Sequence, residues 1–328
     1  MPVEQRLLTA FGPLTSPART RPVARPPLRL GLVQERWHAD PAEHREALAA
    51  GIRTAAGQGA SIVCLQELTL SPYFAITPDG PQAAGAQPED LATGATFSFV
   101  SAIARETGTH VHASLFERAD GPDGPDGLGY NTAIVVSPGG ELVSRTRKLH
   151  IPITAGYYED RYFRPGPAVA DAFPLTPLVY GNGAEAQLGC PTCWDQWFPE
   201  LARAYSLEGA EVLIYPTAIG SEPDHPGFDT QPLWQQVIVG NGVANGTFMV
   251  AVNRIGVEEP LTFYGSSFIS DPYGRVLLQA PRDRAAVLVA DLDLDQRRDW
   301  LELFPFLTTR RPDAYELLTR SRGGDRRW

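Results

Sequence analysis

The chain has few cysteines, no long apolar run and no excess of basic residues, and each absence excludes a class of protein. Three cysteines in 328 residues cannot form a disulfide framework, which predicts a reducing, cytoplasmic compartment. No apolar stretch approaches the roughly 20 residues that span a bilayer, so we expect no membrane partner. A net charge of −10 argues against a nucleic-acid partner and suits a cationic small molecule.

The composition predicts one large domain with two short extensions. Hydrophobic residues make up 43% and charged residues 20% of the chain, as in ordinary globular enzymes. Residues 1–27 are rich in Pro, Ala and Arg and lack the pattern of a secretory signal, which predicts a flexible N-terminal arm. A targeting or oligomer-contacting segment is the alternative. Residues 28–315 are predicted to form the domain, and residues 316–328 a C-terminal tail.

Strand-like and helix-like segments alternate along the whole domain, with hairpins inserted between them. This pattern favours a single α/β domain with mixed sheets and helices outside. A further strand is expected just before Cys193. The other predicted strands cover residues 28–33, 61–65, 110–116, 130–136, 141–147, 211–215, 248–252, 262–270, 275–279 and 286–290, and the predicted helices cover residues 40–58, 89–106 and 233–244 and begin again at residue 199.

The segment 189–200 (GCPTCWDQWFPE) carries the strongest chemical signal. An apolar run ends at cysteine, and a helix is expected to open at Pro199. Cys193 would then lie at a strand end beside free backbone N–H groups, which favour a thiolate and can hold an oxyanion. A buried structural cysteine is the alternative for this segment taken alone.

Two charged residues occupy comparable positions at strand ends. Glu67 follows the apolar strand 61–65, where a partly desolvated carboxylate suits a general base. Lys148 follows the hairpin strand 141–147 and could direct its ammonium into the same cleft at the strand ends as Glu67 and Cys193. Each alone is more often a solvated surface residue, but with Cys193 they supply a base, a cation and a nucleophile.

These residues resemble the catalytic set of the nitrilase superfamily of carbon–nitrogen hydrolases. The resemblance covers about residues 28–315 and implies a four-layer αββα sandwich. By this resemblance Glu67 is the general base, Lys148 the catalytic lysine and Cys193 the nucleophile. Glu159 matches a second glutamate that orients the lysine, and the backbone N–H of Trp194 would donate to the oxyanion.

Longer motifs resemble one group within this superfamily, the N-carbamoylputrescine amidases. The implied reaction releases putrescine, ammonia and carbon dioxide from a small ureido substrate. It requires no cofactor and no metal, and the resemblance implies a homo-oligomer of two or more copies. The motifs lie at residues 193–200 (CWDQWFPE), 215–223 (YPTAIGSEP), 253–256 (NRIG), 263–265 (FYG) and 310–313 (RRPD).

Substrate-binding residues follow from the charge of the implied substrate. A ureide with a distant ammonium needs an anion at the far end of its pocket. We expect Glu222 in that role, because it follows the strand that should neighbour the one ending at Cys193; a solvated loop acid is the alternative. Tyr73, Tyr158 and Trp194 are predicted walls for the four-carbon stem, or else ordinary core residues.

One departure from the family pattern affects the expected strand. Pro191 stands where small or branched apolar residues are usual, and proline cannot donate to a sheet. We therefore expect a bulge or an edge position at this strand.

Other functions remain open at this stage. Cys190 and Cys193 form a CxxC, which permits a dithiol oxidoreductase or an oxidative switch on a hydrolase. A related amidase or β-ureido acid hydrolase would want an arginine in place of the predicted acid, and a non-catalytic module would not need all three polar groups. His110 and His112 share one face of a strand but lack a third metal ligand nearby.

Overall fold

A computed structural model describes residues 5–120, 127–168 and 172–320. Within these ranges the chain forms five α-helices and seventeen β-strands. The helices are α1 (Pro41–Gly57), α2 (Ala95–Thr107), α3 (Pro199–Glu208), α4 (Gln231–Asn245) and α5 (Asp295–Leu303). The strands are β1 (Arg6–Ala10), β2 (Leu28–Gln34), β3 (Ile62–Cys64), β4 (His110–Glu117), β5 (Tyr130–Val136), β6 (Leu142–Arg147), β7 (Ile153–Thr154), β8 (Tyr157–Tyr158), β9 (Leu175–Tyr180), β10 (Ala184–Gly189), β11 (Val212–Pro216), β12 (Phe248–Val252), β13 (Ile255–Glu258), β14 (Leu261–Tyr264), β15 (Phe268–Ser270), β16 (Val276–Gln279) and β17 (Ala286–Leu292).

Two mixed sheets form the centre of the protein. The first has seven strands in the order β1-β17-β2-β3-β4-β5-β6, and the second has six in the order β16-β15-β12-β11-β10-β9. Apolar side chains from both sheets, among them Leu30, Ile62, Leu188 and Ile214, interlock in one buried layer. Two small hairpins, β7–β8 and β13–β14, lie outside the sheets.

Helices cover the outer face of each sheet. Leu48 of α1 and Val100 of α2 pack on the first sheet, whereas Leu201 of α3 and Trp234 of α4 pack on the second. The order helix, sheet, sheet, helix confirms the predicted four-layer αββα sandwich. No helix in the described ranges is both long and apolar enough to cross a membrane.

The N-terminal segment is bound to the domain. Strand β1 pairs in parallel with β17 along five residues, and Arg19 donates to the buried carboxylates of Asp293 at 2.5 Å and Asp299 at 2.8 Å. The composition predicted a flexible arm; the structure differs because the arginines that make this segment polar meet buried carboxylates. The boundaries at residues 28 and 315 stay predictions, and most of the predicted tail lies outside the described residues.

Three predicted elements differ from the structure. Helix α2 starts at Ala95 instead of residue 89, because the Glu89 carboxylate accepts the Thr96 backbone N–H at 2.6 Å and thus caps the helix from outside. The predicted strand 262–270 is two strands in different sheets, broken at Ser266, which has a φ of 57°. The bulge expected at Pro191 is absent, because the internal strand β10 already ends at Gly189.

The topology brings several strand ends together. Strands β10, β11 and β12 run parallel to one another, and so do β2, β3 and β4 in the other sheet. The loops after β3 and β11 touch across the two sheets, since the Glu67 backbone N–H donates to the Thr217 carbonyl at 3.4 Å. Residues that follow these strands therefore share one edge of the sandwich.

Candidate active site

Cys193 lies on a tight turn after β10. It begins a short 3₁₀ helix that ends at Trp197, and its φ of 36° is in the left-handed region, which non-glycine residues rarely adopt. Such a backbone costs free energy and is typical of functional sites. The side chain is 6% exposed, so the turn presents the sulfur to an almost closed space.

The surroundings of Cys193 keep its sulfur protonated. Burial raises the pKa of the thiol well above its usual range, and the neighbouring Glu67 and Glu159 carboxylates raise it further. Lys148 and a backbone hydrogen bond from Ala218 oppose this shift without cancelling it. A nucleophile here must lose its proton to a base as it attacks.

Glu67 is completely buried and has one carboxylate oxygen to spare. Its Oε1 accepts the Asn131 amide at 2.7 Å and the Lys148 ammonium at 2.9 Å. Its Oε2 is buried and has no hydrogen-bond partner among the residues that the structure describes. A buried, unsatisfied acceptor is costly, so this atom is suited to receive a proton.

Lys148 lies between two carboxylates. Its Nζ donates to Glu67 and, at 2.8 and 2.7 Å, to both oxygens of Glu159. Burial alone would lower the pKa of Lys148, but the two carboxylates outweigh burial and raise it above its ordinary value. Burial raises the pKa of Glu159 to about 7 against the opposing effect of the lysine. The lysine therefore remains a fixed ammonium inside the protein.

Two supporting residues were missed by the sequence reasoning. Asn131 is the second residue of β5 and holds Glu67 through its amide. Arg254 is completely buried; its Nη2 donates to the Glu67 carbonyl at 2.7 Å and its Nη1 to the Glu258 carboxylate at 2.7 Å. The available signals were a polar residue inside an apolar strand, for Asn131, and an arginine two residues after an apolar strand, for Arg254.

A hydrogen-bonded bridge joins the segments that carry Lys148 and Cys193. The Asp195 Oδ1 accepts both the backbone N–H of His150 at 3.0 Å and its ring Nδ1 at 2.7 Å. The Asp195 Oδ2 accepts the Thr192 backbone N–H at 3.1 Å. The His150 ring stacks on Phe198, with ring centroids 3.6 Å apart.

A cavity of about 290 Å³ opens at Cys193. This volume is at the small end for ligand pockets and suits a substrate of a few heavy atoms. Its walls are mostly apolar, and its lining includes the carboxylate of Glu222. Four lining residues belong to the loop before α4, namely Glu222, His225, Phe228 and Thr230.

The predicted binding residues are only partly brought together. Trp194 and Glu222 line the cavity with Cys193. Tyr73 is not among the residues that line this cavity, and its hydroxyl donates to Glu159 at 2.9 Å. Tyr158 is not among them either, whereas Tyr157, which precedes it on the hairpin β7–β8, lines the cavity. The binding roles of Tyr73 and Tyr158 stay predictions.

Glu222 is a half-buried residue of the cavity lining. Its strand neighbour is as expected, since β11 pairs in parallel with β10. Desolvation raises the pKa of Glu222, against a hydrogen bond from the Thr230 hydroxyl and the charge of His225. Among the residues that the structure describes, no lysine or arginine pairs with this carboxylate, so it is suited to meet a cation on a ligand.

Cys64, Cys190 and His112 lie in the interior. Cys64, Cys190 and Cys193 are all free thiols. Cys190 packs among apolar residues between the sheets, and burial raises its pKa to about 12. His112 is completely buried on β4, and the described part of the chain contains no group of three His, Cys, Asp or Glu side chains that could hold a metal ion.

Comparison with known proteins gives consistent matches. Residues 29–302 match the model of the carbon–nitrogen hydrolase family. The N-carbamoylputrescine amidase of Arabidopsis thaliana is 37% identical over 282 residues, which cover 81% of this chain and 87% of that protein. The citrullinase of Francisella tularensis is 35% identical over 301 residues, covering 89% and 98%. The crystal structure of a carbon–nitrogen hydrolase from Helicobacter pylori G27 superposes with a TM-score of 0.77 at 32% identity, over 90% of this chain and 99% of that one.

Proposed function

Because this chain belongs to the carbon–nitrogen hydrolase family, we propose that it hydrolyses N-carbamoylputrescine through an acyl-enzyme on Cys193. The observation that carries the substrate is the small cavity that joins the Cys193 thiol to the carboxylate of Glu222 through apolar walls. The relative of A. thaliana named for this reaction supports the same substrate. The catalytic roles below are part of the proposal.

Glu67 is the general base of the proposed reaction. Because its surroundings raise the pKa of Cys193, the thiol form is favoured over the thiolate when the substrate binds in the proposed reaction. As sulfur attacks the carbamoyl carbon, the free Oε2 of Glu67 takes the proton. The Oε1 of the same carboxylate stays bound to Asn131 and Lys148, which keeps the base oriented.

The oxyanion that forms on the carbamoyl oxygen is held by two donors. One is the buried ammonium of Lys148, which Glu159 fixes through two hydrogen bonds. The other is the backbone N–H of Trp194, in the first turn of the 3₁₀ helix that Cys193 begins. One preorganised donor of this kind lowers a barrier by ~3 kcal/mol.

The remaining steps return the enzyme to its starting state. Collapse of the tetrahedral intermediate breaks a C–N bond, and Glu67 gives its proton to the departing nitrogen. Glu67 then takes a proton from water, whose oxygen attacks the thioester-type carbonyl; as the C–S bond breaks, Glu67 gives that proton to the departing Cys193 sulfur. The carbamic acid released loses carbon dioxide, so one ureide and one water give putrescine, ammonia and carbon dioxide.

Glu222 selects the amine in the proposed complex. The ureido group lies at Cys193, the four-carbon stem runs along Trp194 and Tyr157, and the terminal ammonium meets Glu222. A β-ureido acid would place a carboxylate near this carboxylate instead. The described residues that line the cavity include no lysine or arginine to receive it.

A second candidate is an α-amino acid ureide such as citrulline. His225 lies beside Glu222 at the same end of the cavity, so an imidazolium could take an α-carboxylate while Glu222 takes the α-ammonium. The similarity to the citrullinase of F. tularensis makes this the alternative to measure.

Ammonia release across five compounds tests the proposal. The panel is N-carbamoylputrescine, citrulline, N-carbamoyl-β-alanine, neutral butylurea and butyramide, with Cys193→Ala as background. We expect the highest kcat/KM for N-carbamoylputrescine. A higher value for citrulline would favour the second candidate, and a higher value for N-carbamoyl-β-alanine would overturn the role of Glu222. Release equal to the Cys193→Ala background for all five would refute the mechanism.

The motif resemblance also supports a homo-oligomer, and the three free thiols support a reducing, cytoplasmic compartment. Sedimentation of the purified protein measures the first. A single-copy mass at micromolar concentration would contradict it.

A further inference from the structure

We propose that Asp195 and His150 are positioning residues that set the separation between the Lys148 ammonium and the Cys193 sulfur. Neither residue touches the reacting atoms in this proposal. Each is two residues away from one of the two catalytic groups, and the pair connects the turn that carries the nucleophile to the loop that carries the cation. The inference rests on the proposed roles of Lys148 and Cys193.

The Asp195 carboxylate is the centre of this bridge. It is 1% exposed, and both of its oxygens are engaged. One oxygen accepts two hydrogen bonds from His150, and the other accepts the backbone N–H of Thr192, the residue just before the nucleophile. A buried carboxylate with three donors has a fixed orientation, because each lost hydrogen bond would leave charge uncompensated.

His150 contributes two separable contacts. Its ring Nδ1 donates to Asp195 at 2.7 Å, and the face of the ring stacks on Phe198 at an interplanar angle of 8°. The side chain is 34% exposed, so changes to the ring leave a partly solvated space instead of a cavity in the core.

None of the three hydrogen bonds of the Lys148 ammonium reaches the segment that carries the sulfur. Glu67 and Glu159 hold the ammonium within the first sheet and the β8 region, whereas Cys193 follows β10 of the second sheet. The bridge spans these two parts. Displacement of a catalytic group by about 1 Å costs on the order of 10²-fold in rate, so a loosened bridge should lower turnover more than binding.

Two substitutions separate the hydrogen bond from the ring stack. In His150→Asn the side-chain amide nitrogen takes the place of Nδ1 and keeps the donor, but the stack is lost. In His150→Phe the stack on Phe198 is kept and the donor is lost. If the donor positions the two segments, the phenylalanine variant is the more damaged one.

The first readout is steady-state turnover of the best substrate of the five-compound panel. We expect His150→Phe to lower kcat by about 100-fold with KM within about threefold of wild type. The kcat of His150→Asn should be about tenfold higher than that of His150→Phe. Equal losses in the two variants, wild-type kcat in His150→Phe, or a change confined to KM would each overturn the proposal.

The second readout does not depend on the substrate. Alkylation of Cys193 by iodoacetamide, followed by mass spectrometry with Cys193→Ala as the control, reports how well the base and the sulfur are aligned. We expect the same ranking: wild type, then His150→Asn, then His150→Phe. If the wild type hydrolyses none of the five compounds, the proposed function is wrong. The positioning role of Asp195 and His150 is then tested by the alkylation rates alone. Thermal unfolding of each variant shows whether the fold is kept, and alkylation rates that are equal in all folded variants would sink the inference.

Discussion

The surroundings of Cys193, called here the reacting end, and the loop that carries Glu222, called the other end, are built in different ways. At the reacting end, Glu67, Lys148, Glu159 and Cys193 are each at most 6% exposed, and Glu67 is held by hydrogen bonds from Asn131 and Lys148. At the other end, Glu222 is half-buried and the residues that follow it are mostly exposed loop residues.

This difference suggests that the buried sandwich carries out catalysis and that the exposed loop recognises the substrate. The groups that transfer protons and stabilise charge need fixed positions in a low-dielectric interior, which the sandwich provides. Recognition of an ammonium needs only one carboxylate at the right distance, which the loop of residues 217–230 supplies. Changes at the first end should therefore alter turnover, and changes at the second should alter binding.

The largest expected effect comes from Glu67→Gln. The amide has nearly the shape of the carboxylate but cannot take the thiol proton, so kcat should fall by about 10³-fold while KM stays within a few-fold. Single-turnover ammonia release measures the chemical step directly. Activity near that of the wild type in a folded variant would show that another group is the base.

Glu222→Gln should have a smaller effect, on binding. Loss of a partly solvated charge pair should raise KM for N-carbamoylputrescine by about tenfold, which corresponds to ~1.4 kcal/mol. KM for neutral butylurea should barely change. Asp224→Asn removes an exposed acid of the same loop that does not line the cavity, and it serves as the matched control. Equal changes for the two substrates, or equal changes in the two variants, would discard the assignment.

The smallest effect is expected outside the cavity. Arg282 forms two hydrogen bonds of 2.8 Å with Asp229, which anchors the end of the loop that carries Glu222. Both side chains are half-exposed, so Arg282→Gln should raise KM for N-carbamoylputrescine only about two- to fourfold and leave kcat unchanged. Arg284→Gln, which alters a more exposed arginine nearby, is the control. A fall in kcat would mean that the two ends are coupled.

Sequence reasoning succeeded where chemistry follows a strand end. Glu67, Lys148 and Cys193 each follow a predicted strand, and their convergence needed only the rule that strand ends meet at one edge of an α/β fold. The catalytic roles themselves came from resemblance and remain to be measured. The helix that begins after Asp40 was predicted closely, because its N-cap is local: the Asp40 carboxylate accepts two backbone N–H groups.

The sequence was silent where long-range packing decides. Tyr157 and Tyr158 are adjacent and chemically alike, and a hairpin of two-residue strands has no periodicity to tell which faces inward. The sequence places Tyr73 near the site but does not show that its hydroxyl donates to Glu159, because this contact joins residues far apart in the chain. Strand β9 alternates buried and exposed residues, yet it was not predicted because a proline lies within it.

Strand β1 matters for the design of N-terminally truncated forms of the protein. Strand β17 is entirely buried, and one of its two sides is covered by β2 and the other by Arg6–Ala10. In a truncated protein that begins at Leu28, five residues of the apolar strand β17 would lose their hydrogen-bonding partners along one edge. Other copies of the chain could pair with this exposed edge. Precipitation of this truncated protein would then reflect a missing cover, not a damaged catalyst.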